Sequence, residues 1–362
     1  MGERVVVAMS GGVDSSVAAA LLAEQGHAVL GLTLRLWYCD DPAGHGSCCD
    51  ERALRQAAEV AARIGAEHRV LELQEPFERE VLRPAWDEYA RGRTPNPCVR
   101  CNERIKLAAL LRVADEQGAG RVATGHHARV EPAGDGPALL RGRDAEKDQS
   151  YFLFHLTRPQ LARTLFPVGD HTKAEVRALA QARGLPSADQ PDSQDACLAA
   201  GEEGFAEALR RRFGAPARPG PVLDADGVER GRHDGIHRFT VGQRRGLGVA
   251  LGRPAFVRAV EREGVVRVTT DPDALLSRRL RVDDVRWLGP PADGPAEVQI
   301  RYRHRPVPAR LRPRPDGTVE VDLDEPLRAV TPGQAAVFYN GERVLGGGWI
   351  DGPLDATTGD PT

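Results

Sequence analysis

Residues 5–16 read VVVAMSGGVDSS, and the fold turns on that stretch. Val5 to Met9 is a short, unbroken apolar run, the pattern of a strand buried on both faces in a parallel sheet. Ser10-Gly11-Gly12 follows, then an alanine- and leucine-rich helix to about Gln25. A strand that stops at two glycines and turns at once into a helix gathers unpaired N–H groups and the positive end of a helix dipole in one place, which suits an anion. Ser10, Ser15 and Ser16 add hydroxyl donors. The Gly-Lys-Ser/Thr of a Walker loop is missing. Asp14 would repel phosphate, so it is expected to serve a Mg²⁺ ion or to cap the helix.

Outward from this loop the alternation continues. HAVLGLTLRLW reads as a second strand from about Ala28, ERALRQAAEVAARIG as an amphipathic helix and HRVLEL as a third strand. RIKLAALLRVADEQG is a helix, and RVATGHHARV a further strand. Helix 172–183 opens with the capping box Thr172/Glu175 and stops at Gly184-Leu185-Pro186. Strand and helix alternating at this spacing predict a parallel sheet with helices on both faces. After Gly201 come a short helix, EEGFAEALRRRFG, a proline- and glycine-rich stretch, and then short strands and turns. EVQIRYRHRPVPARLRP, TVEVDL and QAAVFY-NGE-RVLGGGWI read as hairpins. The expected plan is an α/β domain over 1–200, a small mixed or β domain over 201–277, a β-barrel domain over 278–355 and a tail from 356 to 362.

Composition narrows the class. Of 362 residues, 41% are hydrophobic and 28% charged, which rules out wholesale disorder. No window approaches eighteen uncharged apolar residues, and MGERVVV reads as neither a secretory nor a transit peptide. Six cysteines in such a chain point to a reducing cytoplasm rather than a disulfide scaffold. A net charge of −3 means that any nucleic-acid surface must be a local basic patch. Only Lys106, Lys147 and Lys173 are lysines among 49 basic residues, so each surviving lysine draws attention as a role arginine cannot fill.

GRTPNPCVRCNERIKL places Cys98 and Cys101 in a C-x-x-C pattern before a helix, where the dipole and Arg100 and Arg104 lower thiol pKa values. Pro95 and Pro97 keep this segment out of the preceding helix. Cys197 lies in the polar loop PDSQDACLA. Two separated, activated thiols suit sulfur transfer, one carrying a persulfide that the other resolves by exchange. Cys39, Cys48 and Cys49 have no partners at zinc-finger spacing apart from His45, and a structural or incidental role is expected.

The loop SGGVDSS resembles the pyrophosphate loop of the ATP pyrophosphatases, which cleave ATP between the α and β phosphates and adenylate a substrate oxygen. With TPNP-x-x-x-CN, PDSQDAC, KDQSYFL, ATGHHAR, TVGQRRGLG and AVTPGQAAVFY added, the chain from about residue 4 to 351 resembles the bacterial tRNA-specific 2-thiouridylases. That resemblance implies an adenine nucleotide alpha hydrolase-like α/β domain followed by a small central domain and a barrel. It implies ATP- and Mg²⁺-dependent 2-thiolation of the wobble uridine in tRNAs for lysine, glutamate and glutamine by a cytoplasmic monomer fed by a protein persulfide donor. Cys101 would be the nucleophile and Cys197 the persulfide carrier. ATP would lie on Ala8, Met9, Ser10, Gly11, Gly12, Val13, Asp14 and Ser15, with Leu34 and Gly125. Many members carry aspartate where this chain has Cys98, so three thiolates, Cys98, Cys101 and Cys197, are also enough for a [4Fe–4S] cluster. A rival within the ATP pyrophosphatases is a ligase such as argininosuccinate synthetase, which has no use for paired thiols.

The target base must be splayed out and read by its edge. Asn96, Pro97 and Cys98 border the nucleophile and are base-contact candidates. By resemblance, His126, Lys147, Asp148, Gln149, Arg301, Tyr302 and Gln334 face tRNA. Arg301, Arg303 and Arg305 are expected to share one face of a strand, with Tyr302 and His304 on the other. Tyr151, Phe152 and Phe154 are expected in the core.

Overall fold

The computed structural model describes residues 2–37, 51–134, 136–188 and 204–354, and these divide into two compact units. The first is built from Met1–Val81, Pro97–Ala199 and Glu342–Val344, the second from Leu82–Asn96, Ala200–Gly341 and Leu345–Thr362.

The first unit holds a five-stranded parallel sheet. Its strands are β1 (Arg4–Ala8), β2 (Ala28–Arg35), β3 (Glu67–Glu72), β4 (Arg121–Ala123) and, beyond the antiparallel hairpin β5 (Ala128–Ala133) and β6 (Gly136–Arg141), β7 (Thr164–Leu165). The spatial order is β3-β2-β1-β4-β7, all neighbours parallel. From β1 the chain therefore runs outward to one side through β2 and β3, then returns to lay β4 on the other side. Val5, Val6 and Val7 are fully buried, as a central strand covered on both faces requires. Helices α1 (Val13–Glu24), α2 (Glu51–Arg63), α3 (Ala108–Glu116) and α4 (Lys173–Ala182) complete the pattern expected from the sequence. Val17, Ala18 and Ala19 are fully buried, so α1 is a core helix whose small side chains allow close approach to the sheet. At α4 the capping box forms in both directions: Glu175 N–H donates to Thr172 Oγ1 at 3.3 Å, and Thr172 N–H to Glu175 Oε2 at 2.7 Å. Gly184 ends this helix with φ +57°. Tyr151 and Phe154 are buried core side chains, while Phe152 is half-buried.

Two local expectations are corrected. RVATGHHARV is not one strand, because β4 ends at Ala123 and β5 begins at Ala128. The break is forced at Gly125: a Cβ there would stand 2.6 Å from Ser15 N, so the backbone lies directly on the first turn of α1 and has to leave the sheet. Second, the helical run begins earlier than the sequence suggested. Pro97–Arg100 is already helical, Cys101–Leu107 follows with π-type winding, and α3 continues from Ala108. Cys98 and Cys101 thus lie within the helical run rather than ahead of it.

The second unit contains a four-stranded mixed sheet and a closed barrel. The mixed sheet is β8 (Gly220–Leu223), β9 (Glu229–His233), β10 (Phe256–Val260) and β11 (Val266–Thr269), in the order β10-β11-β8-β9. The barrel strands are β12 (Leu276–Trp287), β13 (Gly294–Gln299), β14 (Val307–Pro313), β15 (Val319–Arg328), β16 (Ala335–Asn340) and β17 (Arg343–Pro353). They run β12-β15-β14-β13-β16-β17, and β12 pairs again with β17, so six strands close without a free edge. Leu280, Val282, Val298, Leu311, Val321 and Phe338 fill the interior. The NGE turn at 340–342 joins β16 to β17 as the hairpin pattern predicted.

The arginine row is a third correction. Residues 300–306 form the turn between β13 and β14, and Arg303 has φ +62°, a left-handed conformation that breaks any period of two. Arg301 turns back, its guanidinium donating to Thr331 Oγ1 at 2.9 Å and to Ala329 O. The Arg303 guanidinium lies 5.5 Å over the Tyr302 ring.

Candidate active site at the carboxyl ends of β1 and β4

The strand order reverses between β1 and β4, and in an open parallel sheet the crevice outside the carboxyl ends at such a point is where ligands bind. Two loops meet there. One is Met9–Gly12 after β1, the other Thr124–His127 after β4.

The first loop is stiffly built. Gly11 has φ +78°, and a Cβ on it would come within 2.5 Å of Ala53 O, so both conformation and packing demand glycine. Gly12 caps α1 with no side-chain bond. Ser15 Oγ accepts from Ser10 N–H at 3.2 Å and donates to Gly12 O at 3.0 Å, while Ser16 Oγ donates to Gly12 O at 2.9 Å. Those two hydroxyls are buried and spent on shaping the loop, whereas Ser10 is exposed. First-turn N–H groups of α1 have no intrahelical acceptors and remain for an anion. Ala8 and Met9 lead into the loop, and Thr33 Oγ1 donates to Met9 O at 2.6 Å, fixing that peptide. Leu34 is half-buried near the carboxyl end of β2.

Asp14 does not cap the helix. Both of its oxygens lie 2.7 Å from Lys173 Nζ, and Oδ1 is 3.2 Å from His127 Nε2. Burial works to raise its pKa, but the His127 and Lys173 contacts outweigh burial and hold it below the usual carboxylate value. Lys173 is the first residue of α4, whose N–H donates to Asp144 Oδ2 at 2.8 Å, and its side chain is only 11% exposed. Two helix N-termini, of α1 and α4, are therefore joined by one ion pair. Sequence reading had singled out Lys173 only as a rare lysine. Its position inside the Thr172/Glu175 capping box is the available signal, and nothing local shows a partner 159 residues away.

In the second loop, His127 is buried, and its backbone N–H donates to Gln149 Oε1 at 2.9 Å. His126 shares a hydrogen bond with Thr124 Oγ1 (2.8 Å) and packs edge-on against Phe166. Burial, with Lys106 and His127 nearby, pushes its pKa down to about 3, so it is neutral at physiological pH. Asp148 accepts from Arg141 Nη1, Gly142 N–H, Ser150 N–H and Ser150 Oγ, each at 3.0 Å, and so anchors its own loop. Lys147, half-buried, precedes it.

Cys101 is buried at 4% exposure, and Cys98 is half-buried. They are three positions apart in the helical run and share a face. Asn96 and Gln334 belong to the second unit, as do Arg301 and Tyr302. Cys197, Cys39, Cys48 and Cys49 lie outside the described residues. Among the described residues, no three His, Cys, Asp or Glu side chains converge on a metal position. Mg²⁺ is commonly held by one or two carboxylates together with substrate phosphates, and Asp14 at the loop offers one. No helix among the described residues is long and apolar enough to cross a membrane.

A parallel α/β domain with a glycine phosphate loop at its switch point, followed by a mixed sheet and a closed barrel, defines the class. Three family models match in that order: the tRNA methyl transferase HUP domain over residues 3–201, the tRNA methyl transferase PRC-barrel domain over 209–267, and the aminomethyltransferase β-barrel domain over 277–350. The chain is 47% identical to the tRNA-specific 2-thiouridylase MnmA of Geobacter metallireducens, with 97% of this chain and 98% of that protein covered. It is also 47% identical to the protein of that name from Heliobacterium modesticaldum, with 98% and 94% covered. The chain belongs to the tRNA-specific 2-thiouridylase family. Among solved structures it is similar to a 4-thiouridine synthetase in complex with RNA and ATP (18% identity, TM-score 0.35, 56% of this chain and 45% of that one), a likeness too slight to carry weight.

Proposed function

We propose that the protein is a tRNA-uridine 2-sulfurtransferase that uses ATP and Mg²⁺ to convert the wobble uridine of tRNAs for lysine, glutamate and glutamine to 2-thiouridine. The observation that carries this reading is a phosphate loop and a paired-thiol helix in one α/β unit of a 2-thiouridylase family member. The N–H groups of Gly11, Gly12 and Val13 and the Ser10 hydroxyl hold the triphosphate, while Gly125, lying on Ser15, closes the floor of the site. Lys173 keeps Asp14 from repelling the nucleotide, and Asp14 is the carboxylate that would help to hold Mg²⁺, which would neutralise phosphate charge there.

The uridine C2 oxygen attacks the α phosphate, pyrophosphate leaves, and C2 becomes electrophilic. The terminal sulfur of a Cys197 persulfide bonds to C2 and AMP departs. Cys101 thiolate then attacks Cys197 Sγ, the S–S bond of the persulfide breaks, and its electrons leave the sulfur on C2 as a thiocarbonyl. A Cys101–Cys197 disulfide remains, to be reduced by an external thiol, and the persulfide is renewed by a donor protein. Asn96, Pro97, Cys98, His126, Lys147, Asp148, Gln149, Arg301, Tyr302 and Gln334 stay the proposed tRNA-facing set. Asp148 and Gln149 act by shaping their loops.

The alternative, a [4Fe–4S] cluster on Cys98, Cys101 and Cys197, is favoured by one feature: the first two share a helical face. Iron and acid-labile sulfide in protein purified without oxygen decide between the two. About four irons per chain, lost in Cys98→Ala, select the cluster. No iron, with full activity from a persulfide donor, selects the relay.

A further inference from the structure

One four-residue turn occurs twice in the second unit. Thr240-Val-Gly-Gln243 and Thr331-Pro-Gly-Gln334 each close with Gln N–H donating to Thr O, at 2.9 and 3.2 Å, and their glycines have φ +86° and +88°. Each clips to a strand of its own sheet in the same way. Gly242 N–H donates to Val257 O and Val257 N–H to Gln243 O, just as Gly333 N–H donates to Ile350 O and Ile350 N–H to Gln334 O, all within 2.8–2.9 Å.

Both copies close on Thr94. Thr240 Oγ1 lies 3.1 Å from Thr94 Oγ1, and Thr94 N–H donates to Pro332 O at 2.8 Å. Gln334 Nε2 donates to Thr94 O at 2.9 Å and to Pro95 O at 3.3 Å. A Cβ on Gly333 would lie 3.0 Å from Thr94 N and O, so only glycine lets the turn press this close without the loop giving way. Arg93 reinforces the grip, with Nε 2.7 Å from Glu88 Oε2, Nη1 3.2 Å from Asp351 Oδ1 and Nη2 donating to Ile350 O at 3.1 Å. The two glutamines differ in one respect. Gln243 spends its amide within five residues of its own turn, accepting from Thr240 N–H and donating to Arg245 O, whereas Gln334 sends its amide out to the Thr94–Pro95 backbone. The chain then passes through Asn96 straight into the helical turn Pro97–Arg100 that carries Cys98.

We infer that Gln334 is a positioning residue for sulfur transfer, fixing the Thr94 and Pro95 carbonyls and so the point at which the chain enters the thiol-bearing helix. This rests on the thiolation reading above and goes beyond an RNA contact for Gln334. One amide group donating to both the Thr94 and Pro95 carbonyls orients two successive peptide planes at once.

The test compares wild type with Gln334→Ala and the near-isosteric Gln334→Glu, which keeps the shape but replaces the donor with a second acceptor. Trypsin cleavage after Arg93 is followed in the protein alone, without ATP or tRNA. Both variants should be cut several-fold faster, and an unchanged rate overturns the inference. Single-turnover thiolation at saturating tRNA, where the loss of an RNA contact alone would not show, should fall on the order of tenfold or more in both, since small misplacements of reacting groups are costly. A weaker tRNA affinity with a wild-type rate at saturation makes Gln334 an RNA contact only and also overturns it. Thr240→Val, which loosens Thr94 from the other turn without touching Gln334, should speed the same cut, and resistance of all three variants refutes the double grip. Failure of wild type itself to thiolate removes the functional reading, and the cleavage rates then decide whether Gln334 holds the loop.

Discussion

The Asp14–Lys173 pair gives the sharpest prediction. At 2.7 Å and an effective dielectric near 20, the gross attraction between two unit charges is about 6 kcal/mol. Most of that is offset by desolvation. Removing one partner of a deeply buried pair costs ~3–5 kcal/mol, and exposed pairs are worth ~0–1 kcal/mol. With Lys173 11% and Asp14 29% exposed, the site lies between these limits. Lys173→Met should therefore destabilise the protein by roughly 1–2 kcal/mol, discounted for the solvent that reaches Asp14. In a denaturation cycle with Asp14→Asn, the two substitutions should couple by about 1 kcal/mol or more. The nucleotide adds a second readout. Without its ammonium, the Asp14 carboxylate faces a triphosphate unscreened, and ATP affinity should fall at least about tenfold, which is ~1.4 kcal/mol. A coupling near zero together with wild-type ATP affinity in Lys173→Met would refute the reasoning.

Other expectations follow from the same geometry. Gly125→Ala puts a methyl 2.6 Å from Ser15 N, so it should cost ~1–3 kcal/mol of stability and abolish detectable ATP binding by calorimetry, whereas Gly134→Ala, with open space around it, should do neither. His126 takes up its proton only near pH 3 in the folded protein but near 6.5 when unfolded, so the unfolded state binds more protons between those values. Its contribution to stability is complete above about pH 6.5 and is lost as pH falls toward 3, and thermal melts of His126→Gln should lose less stability over that range than wild type. Glu207 is held down to about pKa 2, first by Arg210, then, against the opposing effect of burial, by His237 and Arg238. Its contribution is complete above its ordinary value near 4.5 and fades toward pH 2, so Glu207→Gln should melt lower than wild type at pH 7 and the gap should narrow on acidification.

The sequence made the parallel sheet legible because a buried central strand has no polar face: VVVAM reads as strand with no partner in view. The phosphate loop was legible because its glycines are demanded locally, by a positive φ at Gly11. What stayed hidden depends on residues far apart. Ala123 and Ala128 belong to different strands only because Gly125 lies on Ser15, more than a hundred residues earlier. Arg301, Arg303 and Arg305 keep a period of two on paper, yet Arg303 adopts a left-handed conformation and Arg301 is drawn back to Thr331. Asp14 was weighed as a magnesium ligand or a helix cap, and its ion pair with Lys173 could be found only by folding the chain. The double turn at Thr94 is present in the sequence as TVGQ and TPGQ, alike at three of four positions and 91 residues apart, but their common target gives no local sign.

The central claim is that ATP cleavage and the Cys101 thiol act on one uridine. The most direct measurement gives unmodified lysine tRNA to the purified protein with ATP, Mg²⁺ and a persulfide donor, and then quantifies AMP and, by mass spectrometry of nuclease digests, 2-thiouridine. The account predicts 2-thiouridine at the wobble position with one AMP per sulfur transferred, and none in Cys101→Ser even though its phosphate loop is intact. Thiouridine formed at the wild-type rate by Cys101→Ser, or no AMP and no thiouridine from the wild type, would contradict it.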